Sequence, residues 1–252
     1  MNELERRHSL EKQWHDEKAQ QAKMPRMGLY AAGALDLADD YAYQLLGDVS
    51  GKTIVDLGCG GGHHAVRFAR QGATVRAFDL SWANVQAAQR NARENSLQEQ
   101  VIVGQMAAEQ LACPDESVDL VFGHSILHHT DLALTRYQVY RILKPGGRAV
   151  FLEPLDHNPF IRIFRQRTPS RRTPSEKPLR LEDALVFGEP FSSVRHSEFY
   201  LLALAAFVLL PFQSTKLFQM VLRRLARMDR VLLARWPVLG RYAWVIVMRL
   251  IK

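Results

Sequence analysis

Apolar residues in the first two thirds of the chain fall into short continuous runs separated by stretches of helical period. Thr53-Ile54-Val55 is one such run, long enough only for a buried strand, and Ala65, Val66, Phe68 and Ala69 then repeat at helical spacing. The alternation recurs. Strands are predicted near 52–57, 73–79, 100–105, 117–123 and 147–153, and helices near 62–71, 82–95, 107–111 and 132–143. Such alternation requires a mostly parallel sheet with right-handed crossovers and helices on both faces. Residues 194–200 and 242–251 read as two more strands, which makes an α/β, doubly wound sheet of seven strands.

The flanking segments depart from this rhythm. Residues 2–23 are rich in Glu, Lys, Arg and Gln, with Leu4, Leu10, Trp14 and Ala19 as sparse apolar points, which predicts a charged helix closed by Pro25 and Gly28. Residues 31–46 predict a helix ahead of the first strand. Between the last two strands, where a tight turn would suffice, about 40 residues are inserted. Within the insertion, residues 199–212 are an uncharged apolar run of 14. At ~1.5 Å per residue that run reaches about 21 Å, short of the ~30 Å hydrocarbon core, so it is not a spanning helix. Residues 215–236 are amphipathic: Leu217, Val221, Leu225, Met228, Leu232 and Trp236 form one stripe, and Lys216, Gln219, Arg223, Arg227 and Arg230 another. A basic helix beside an apolar one has the pattern of an in-plane membrane contact. The same pattern suits a cap over a substrate pocket, with its arginines in solvent.

Charge sharpens this contrast. Residues 161–252 hold 17 Lys and Arg against 6 Asp and Glu, whereas residues 1–160 hold 16 against 20. That asymmetry points to a polyanionic partner or surface. Residues 161–180 carry Arg162, Arg165, Arg167, Arg171, Arg172, Lys177 and Arg180, broken by Pro169 and Pro174, and predict a loop with at most a short helix. Its arginines leave phosphate-bearing small substrates open. Few aromatics are interleaved in the insertion, which argues against nucleic acid as the partner. A chain of 252 residues with 47% hydrophobic content suffices for one core. One domain over 1–252 is expected: an N-terminal helix (1–30), a core (31–155) and a basic, substrate-side region (156–252). Cys59 and Cys113, the only cysteines, lie in unlike contexts, which argues against a disulfide and for a reducing compartment. With no secretory pattern in the charged N-terminus, a cytoplasmic protein, peripheral on the inner membrane face, is expected. His63-His64 and His128-His129 are adjacent pairs that cannot both face one ion from a regular helix, so no metal is expected.

The densest chemistry lies at residues 55–65. A strand ends in Asp56 and runs through Gly58-Cys59-Gly60-Gly61-Gly62 into a helix. The glycines permit a tight turn and close approach of a cofactor, and the helix N-terminus offers free N–H groups. Gly60 to Ala65 satisfies G-x-G-x-x-A, a pattern that also admits a dinucleotide. Asp56 argues for S-adenosylmethionine, since an acid beside a pyrophosphate is repulsive but suits an ammonium and a sulfonium. Asp79, about 20 residues beyond the turn, stands where an acid accepts hydrogen bonds from ribose hydroxyls.

From here the chain resembles the class I S-adenosylmethionine-dependent methyltransferases over roughly residues 45–155. VDLGCGGGHHA (55–65) is similar to their first motif and AFDLS (77–81) to the acidic strand end that follows. Residues 118–122 resemble their fourth strand, Ile126-Leu127-His128-His129 the segment after it, and Leu143-Lys144-Pro145-Gly146-Gly147-Arg148 the turn into the fifth. The resemblance implies a Rossmann-like fold, S-adenosylmethionine as cofactor, and binding by Asp56, Gly58, Gly60, Gly62, Asp79, Leu80, Ala107, Ala108 and Gly123. Ala107 departs from the acidic or amide residue usual beside adenine, which leaves that ring to apolar packing. In similar enzymes an N-terminal helix closes over the cofactor. The alternative for residues 2–23 is a solvated helix.

Methyl transfer needs a base only where the nucleophile carries a proton. His128 falls where similar O-methyltransferases carry a histidine base, and His124 is the second candidate. Glu153 and His157 follow the fifth strand, and His63-His64 is read as cofactor packing. Asn158-Pro159-Phe160 partly resembles the Asn-Pro-Pro-Tyr loop of adenine-N6 methyltransferases but follows the wrong strand and is read as a turn. The expected function is methyl transfer to a small or lipid-like acceptor of quinone, phenolic or polyketide type. The alternatives are an RNA methyltransferase and a non-catalytic cofactor-binding partner or sensor subunit.

Overall fold

A computed structural model describes residues 2–21, 33–169, 172–173, 175–212 and 215–252; Pro25, Gly28, Arg171 and Pro174 lie outside the described residues. Seven strands, β1 (Thr53–Leu57), β2 (Thr74–Asp79), β3 (Val101–Gln105), β4 (Val118–His124), β5 (Leu143–Pro154), β6 (Ser193–Phe199) and β7 (Val245–Ile251), form one sheet. Their order is β3-β2-β1-β4-β5-β7-β6. The first five run parallel, and β7 is antiparallel to both β5 and β6. Parallel neighbours require crossovers: α3 (His63–Arg70) joins β1 to β2, α4 (Trp82–Glu94) joins β2 to β3 and α5 (Leu132–Ile142) joins β4 to β5, while α2 (Asp36–Leu46) precedes β1. The fold is the α/β, mostly parallel, Rossmann-like sheet expected.

Both sheet faces are covered, so the strands read as continuous apolar runs and not as alternating ones. Ile54, Phe122, Val150, Leu152 and Val247 pack toward α2, α3 and α4. Val55, Val121, Phe151, Ile246 and Met248 pack toward α5 and toward α7 (Leu181–Gly188). The period of two along each strand divides these sets between the layers.

Local sequence fixes several boundaries. Ser81 caps α4 by accepting the Asn84 N–H, and Asp131 caps α5 by accepting from Ala133 and Leu134. Asn158 caps α6 (Pro159–Arg167), accepting from Phe160 and Ile161 with Pro159 in the first turn. The Asn-Pro-Phe sequence is thus a helix start. Residues 107–111 are not helical: a turn connects β3 to β4 there.

The insertion between β6 and β7 is a 3-10 helix (Ala203–Phe212), then α8 (Thr215–Arg235), then a second 3-10 segment (Pro237–Tyr242). Asp229 is buried and accepts the N–H groups of Leu201, Leu202 and Ala203, which ties α8 to the start of the apolar run. The buried face of α8 is Phe218, Leu222 and Asp229, with Val221, Leu225 and Ala226 partly covered. Of the predicted apolar stripe, Val221, Leu225 and Leu232 are partly covered, and Leu217, Met228 and Trp236 stand exposed. Among the described residues no helix is long and apolar enough to cross a membrane.

Candidate cofactor and catalytic site

The carboxyl ends of β1, β2 and β4 open onto a cavity of about 230 Å³. Gly58, Gly60, Asp79, Leu80, Ala107 and Ala108, all expected to bind the cofactor, line it. Gly58 has φ +70°, and a Cβ there would stand 2.7 Å from the Ile126 side chain. Only glycine lets the turn pass under Ile126 at that φ. Asp79 stitches the floor together: Oδ2 accepts the Gly60 N–H at 2.9 Å, and Oδ1 accepts the Ser81 N–H at 2.9 Å. Met106, Ala108, Leu80 and Ile126 give apolar walls for a flat ring, and Asp79 faces the space where a ribose would lie. A Cβ on Gly60 would meet no atom of the described residues within 4 Å, so that side of its backbone is open to a ligand, while its N–H is held by Asp79. These residues fit an adenosyl group.

Three expected cofactor residues do not line the cavity. Gly62 is the left-handed N-cap of α3, packed against Ala88 of α4. Gly123 lets β4 pack on β5, since a Cβ there would meet the Phe151 ring at 2.6 Å. Ser125 and Ile126 line the cavity in its place. Asp56 is 1% exposed on the opposite sheet face, and its Oδ2 has no hydrogen-bond partner among the described residues. Burial pushes its carboxyl up to about 7, against the opposing effects of His124 and the Ala65 N–H. Its ordinary value is far lower.

Asp56 belongs to a second buried polar cluster. His124 Nε2 lies 3.1 Å from Asp39 Oδ1, and its ring stacks on His64 at 5.1 Å. His64 Nδ1 meets the Tyr43 hydroxyl at 2.7 Å, and burial brings His64 down to about 3. His124, a candidate base, thus points into this cluster and not into the cavity lining. His64 packs among Tyr43, Phe122 and His124, and His63 lines an outer groove beside Arg67 and Arg70. The reading of His63-His64 as cofactor packing is corrected accordingly.

His128 is held differently. It is 7% exposed, in the 3-10 turn Leu127–His129, with Nδ1 2.7 Å from Glu153 Oε2. Glu153 is fully buried at the end of β5, and its Oε1 accepts the N–H groups of Ile126 and Leu127, both at 2.8 Å. One carboxylate therefore fixes the turn and the orientation of the imidazole, with Nε2 the nitrogen not engaged by Glu153. His128, like His124, is not among the residues lining the cavity, whereas its neighbours Ile126, His129 and Thr130 are. His157 lies apart, 3.9 Å from Glu182.

The largest feature the sequence left open is helix α1 (Glu3–Gln21), which lies across the cavity mouth. His8, Glu11 and His15 enter the lining, and Asp16 accepts from Ser81 Oγ and from the Ala83 N–H. His8 Nε2 stands 3.1 Å from Glu109. Glu11 is 3% exposed, with Oε1 accepting the hydroxyls of Thr173 and Ser175 at 2.7 Å each. Burial works to raise the Glu11 carboxyl, but the adjacent His129 and the two hydroxyls outweigh it and hold it at about 2. The helix is a cover, not a solvated rod. With α1 in place the cavity is smaller than the ~300 Å³ lower bound of typical ligand sites.

Comparison with known proteins agrees with this geometry. Residues 55–151 match the family model described as a methyltransferase domain. The chain is 39% identical over 127 residues to the ubiquinone biosynthesis O-methyltransferase of Alkalilimnicola ehrlichii, covering 50% of each protein. It is 35% identical over 138 residues to the dimethylglycine N-methyltransferase of Parasynechococcus marenigrum, covering 51% of this chain and 49% of that one. The chain thus spans about half the length of the curated relatives it matches. In fold it is similar to geranyl diphosphate C-methyltransferase from Streptomyces coelicolor, with a TM-score of 0.62 and 15% identity, covering 86% of this chain and 77% of that one. Residues 55–151 thus carry a methyltransferase domain, and the fold around it is the Rossmann-like one of solved S-adenosylmethionine-dependent methyltransferases.

Proposed function

We propose that the chain transfers a methyl group from S-adenosylmethionine to an oxygen of a small lipophilic acceptor of phenol or quinone type, at an anionic membrane surface. The observation that carries the reading is the buried Glu153–His128 pair, in the turn whose Ile126, His129 and Thr130 line the cavity. When bound, the cofactor supplies an electrophilic methyl carbon. The chain's own groups do the rest. Glu153 orients the imidazole, and His128 Nε2 takes the proton of the acceptor hydroxyl. Helix α1 excludes water from the cavity, which favours in-line displacement at a sulfonium. Relatives named ubiquinone biosynthesis O-methyltransferases support oxygen as the acceptor atom.

The basic half of the chain supports the membrane part. The outer face of α8 exposes Leu217, Met220, Met228 and Val231 beside Lys216, Arg223, Arg224, Arg227 and Arg230. Its one acid, Asp229, is turned inward. Phe160, Ile163 and Phe164 of α6 are exposed as well, and Asn158 Nδ2 donates to the Tyr242 carbonyl, which joins the start of α6 to the segment after α8. Apolar side chains interleaved with arginines are the pattern of a helix lying in a bilayer interface. The experiment is incubation with labelled S-adenosylmethionine and either membrane-lipid or aqueous extract. Label in a lipid-soluble product, lost in H128A, is expected; label only in the aqueous fraction contradicts the lipophilic acceptor.

A further inference from the structure

Three ligand-type atoms converge where α1 meets the turn after β4. Glu11 Oε2, His15 Nε2 and His129 Nδ1 all lie within 4.8 Å of one another. Glu11 Oε2 stands 3.0 Å from His129 Nδ1 and 3.7 Å from His15 Nε2. Ligand atoms held ~2.0–2.1 Å from one tetrahedral ion are about 3.3 Å apart, close to both separations. Two of the three atoms, Glu11 Oε2 and His129 Nδ1, are buried and, apart from their 3.0 Å contact with each other, have no hydrogen-bond partner among the described residues. A buried carboxylate oxygen and a buried ring nitrogen that meet only each other are both placed to ligate one cation in exchange for that contact.

The surroundings are those of a supported ligand set. The other Glu11 oxygen is held by Thr173 and Ser175, so the carboxylate is aimed, with Oε2 toward the histidines. Such partners behind a ligand fix its orientation and its affinity for the ion. Glu11, His15 and His129 also line the cavity, so the face of the set not occupied by protein opens toward it.

We infer that Glu11, His15 and His129 form a binding site for one divalent transition-metal ion, zinc being the type case for two imidazoles and a carboxylate. The ion would clamp α1 to the turn at residues 127–129 and leave a coordination position facing the cavity. That this position takes an ionised acceptor oxygen rests on the methyl-transfer reading; the metal binding does not. The sequence expectation of no metal rested on the adjacent histidine pairs, and this set takes one histidine from such a pair and two residues from α1.

Zinc titrated into the full chain by calorimetry, without cofactor, tests the site independently of activity. One equivalent bound with a micromolar or tighter dissociation constant is expected, weakened at least tenfold in E11Q and in H15Q. Cobalt in place of zinc should give visible absorption bands in the unmodified chain. This readout stands even if the buried Glu11 variant fails to fold. A neighbouring group, His128, His129 and Glu176, is the control: E176Q should leave zinc affinity unchanged. Absence of zinc heat and cobalt bands would mean a Glu11–His129 ion pair only, and would overturn the site. So would unchanged affinity in H15Q, or loss confined to E176Q.

Discussion

Glu153 Oε2 lies 2.7 Å from His128 Nδ1, with the carboxylate fully buried and its second oxygen bound to two backbone N–H groups of the same turn. The pair is thus rigid on both sides. H128A should lower kcat by about 10² to 10⁴-fold, the range for loss of a positioned base. E153Q should lower it by about 10–100-fold, through misorientation of the imidazole. S-adenosylhomocysteine affinity should stay within a factor of about three in H128A. Calorimetry beside steady-state kinetics separates the two effects, and equal loss of affinity and turnover would assign His128 to cofactor binding.

Asp56 predicts a pH dependence of stability. Its folded value of about 7 lies above its ordinary value, so folding favours the protonated form. The stability it confers is fully present below about pH 4 and is lost as pH rises toward 7. The limit is of order 4 kcal/mol, at about 1.4 kcal/mol per pKa unit. Denaturant unfolding at pH 4.5 and pH 8 should show a larger loss in the parent chain than in D56N. Asparagine keeps an acceptor for the Ala65 N–H while removing the ionisable group. Equal pH slopes would contradict the buried, unpaired carboxyl.

Gly58 tests the turn. G58A places a Cβ 2.7 Å from Ile126 and at φ +70°, two separate penalties. Destabilisation of about 1–3 kcal/mol is expected, with weaker cofactor binding. In the double variant G58A/I126A only the steric part should be relieved. Full recovery would mean that the left-handed backbone carries no cost there.

How much of this was legible divides by sequence distance. The β1–glycine–α3 unit is local: strand, turn and helix lie within 18 residues, from Thr53 to Arg70, and each declares itself by period or by glycine. The long-range partners did not. Nothing near His124 in the chain announces Asp39 or His64, and nothing near His129 announces Glu11; only the folded sheet brings them together. Asp56 was misassigned because an acid at a strand end reads the same whichever sheet face it takes, and here it faces α3. The face that α8 buries was not legible for a different reason. That helix carries apolar residues around most of its circumference, so pattern alone offers two burial faces, and the contact with the 3-10 segment chose Phe218 and Leu222.

The exposed face of α8 predicts salt-sensitive membrane binding. Reversal of Arg223, Arg227 and Arg230 to glutamate should abolish binding to anionic vesicles, since each basic residue near such a surface contributes about 1 kcal/mol. Affinity for S-adenosylhomocysteine should not change. Equal partition of parent and variant between buffer and vesicles would assign α8 to the cap alone.

The account depends most on the ligand held beneath α1 by Gly58, Gly60 and Asp79. Calorimetric titration of the full chain with S-adenosylhomocysteine, and in parallel with NADH, tests it directly. One equivalent of S-adenosylhomocysteine bound, weakened at least tenfold in D79A, with no heat from NADH, is the predicted result. Tight NADH binding with no response to S-adenosylhomocysteine would contradict it.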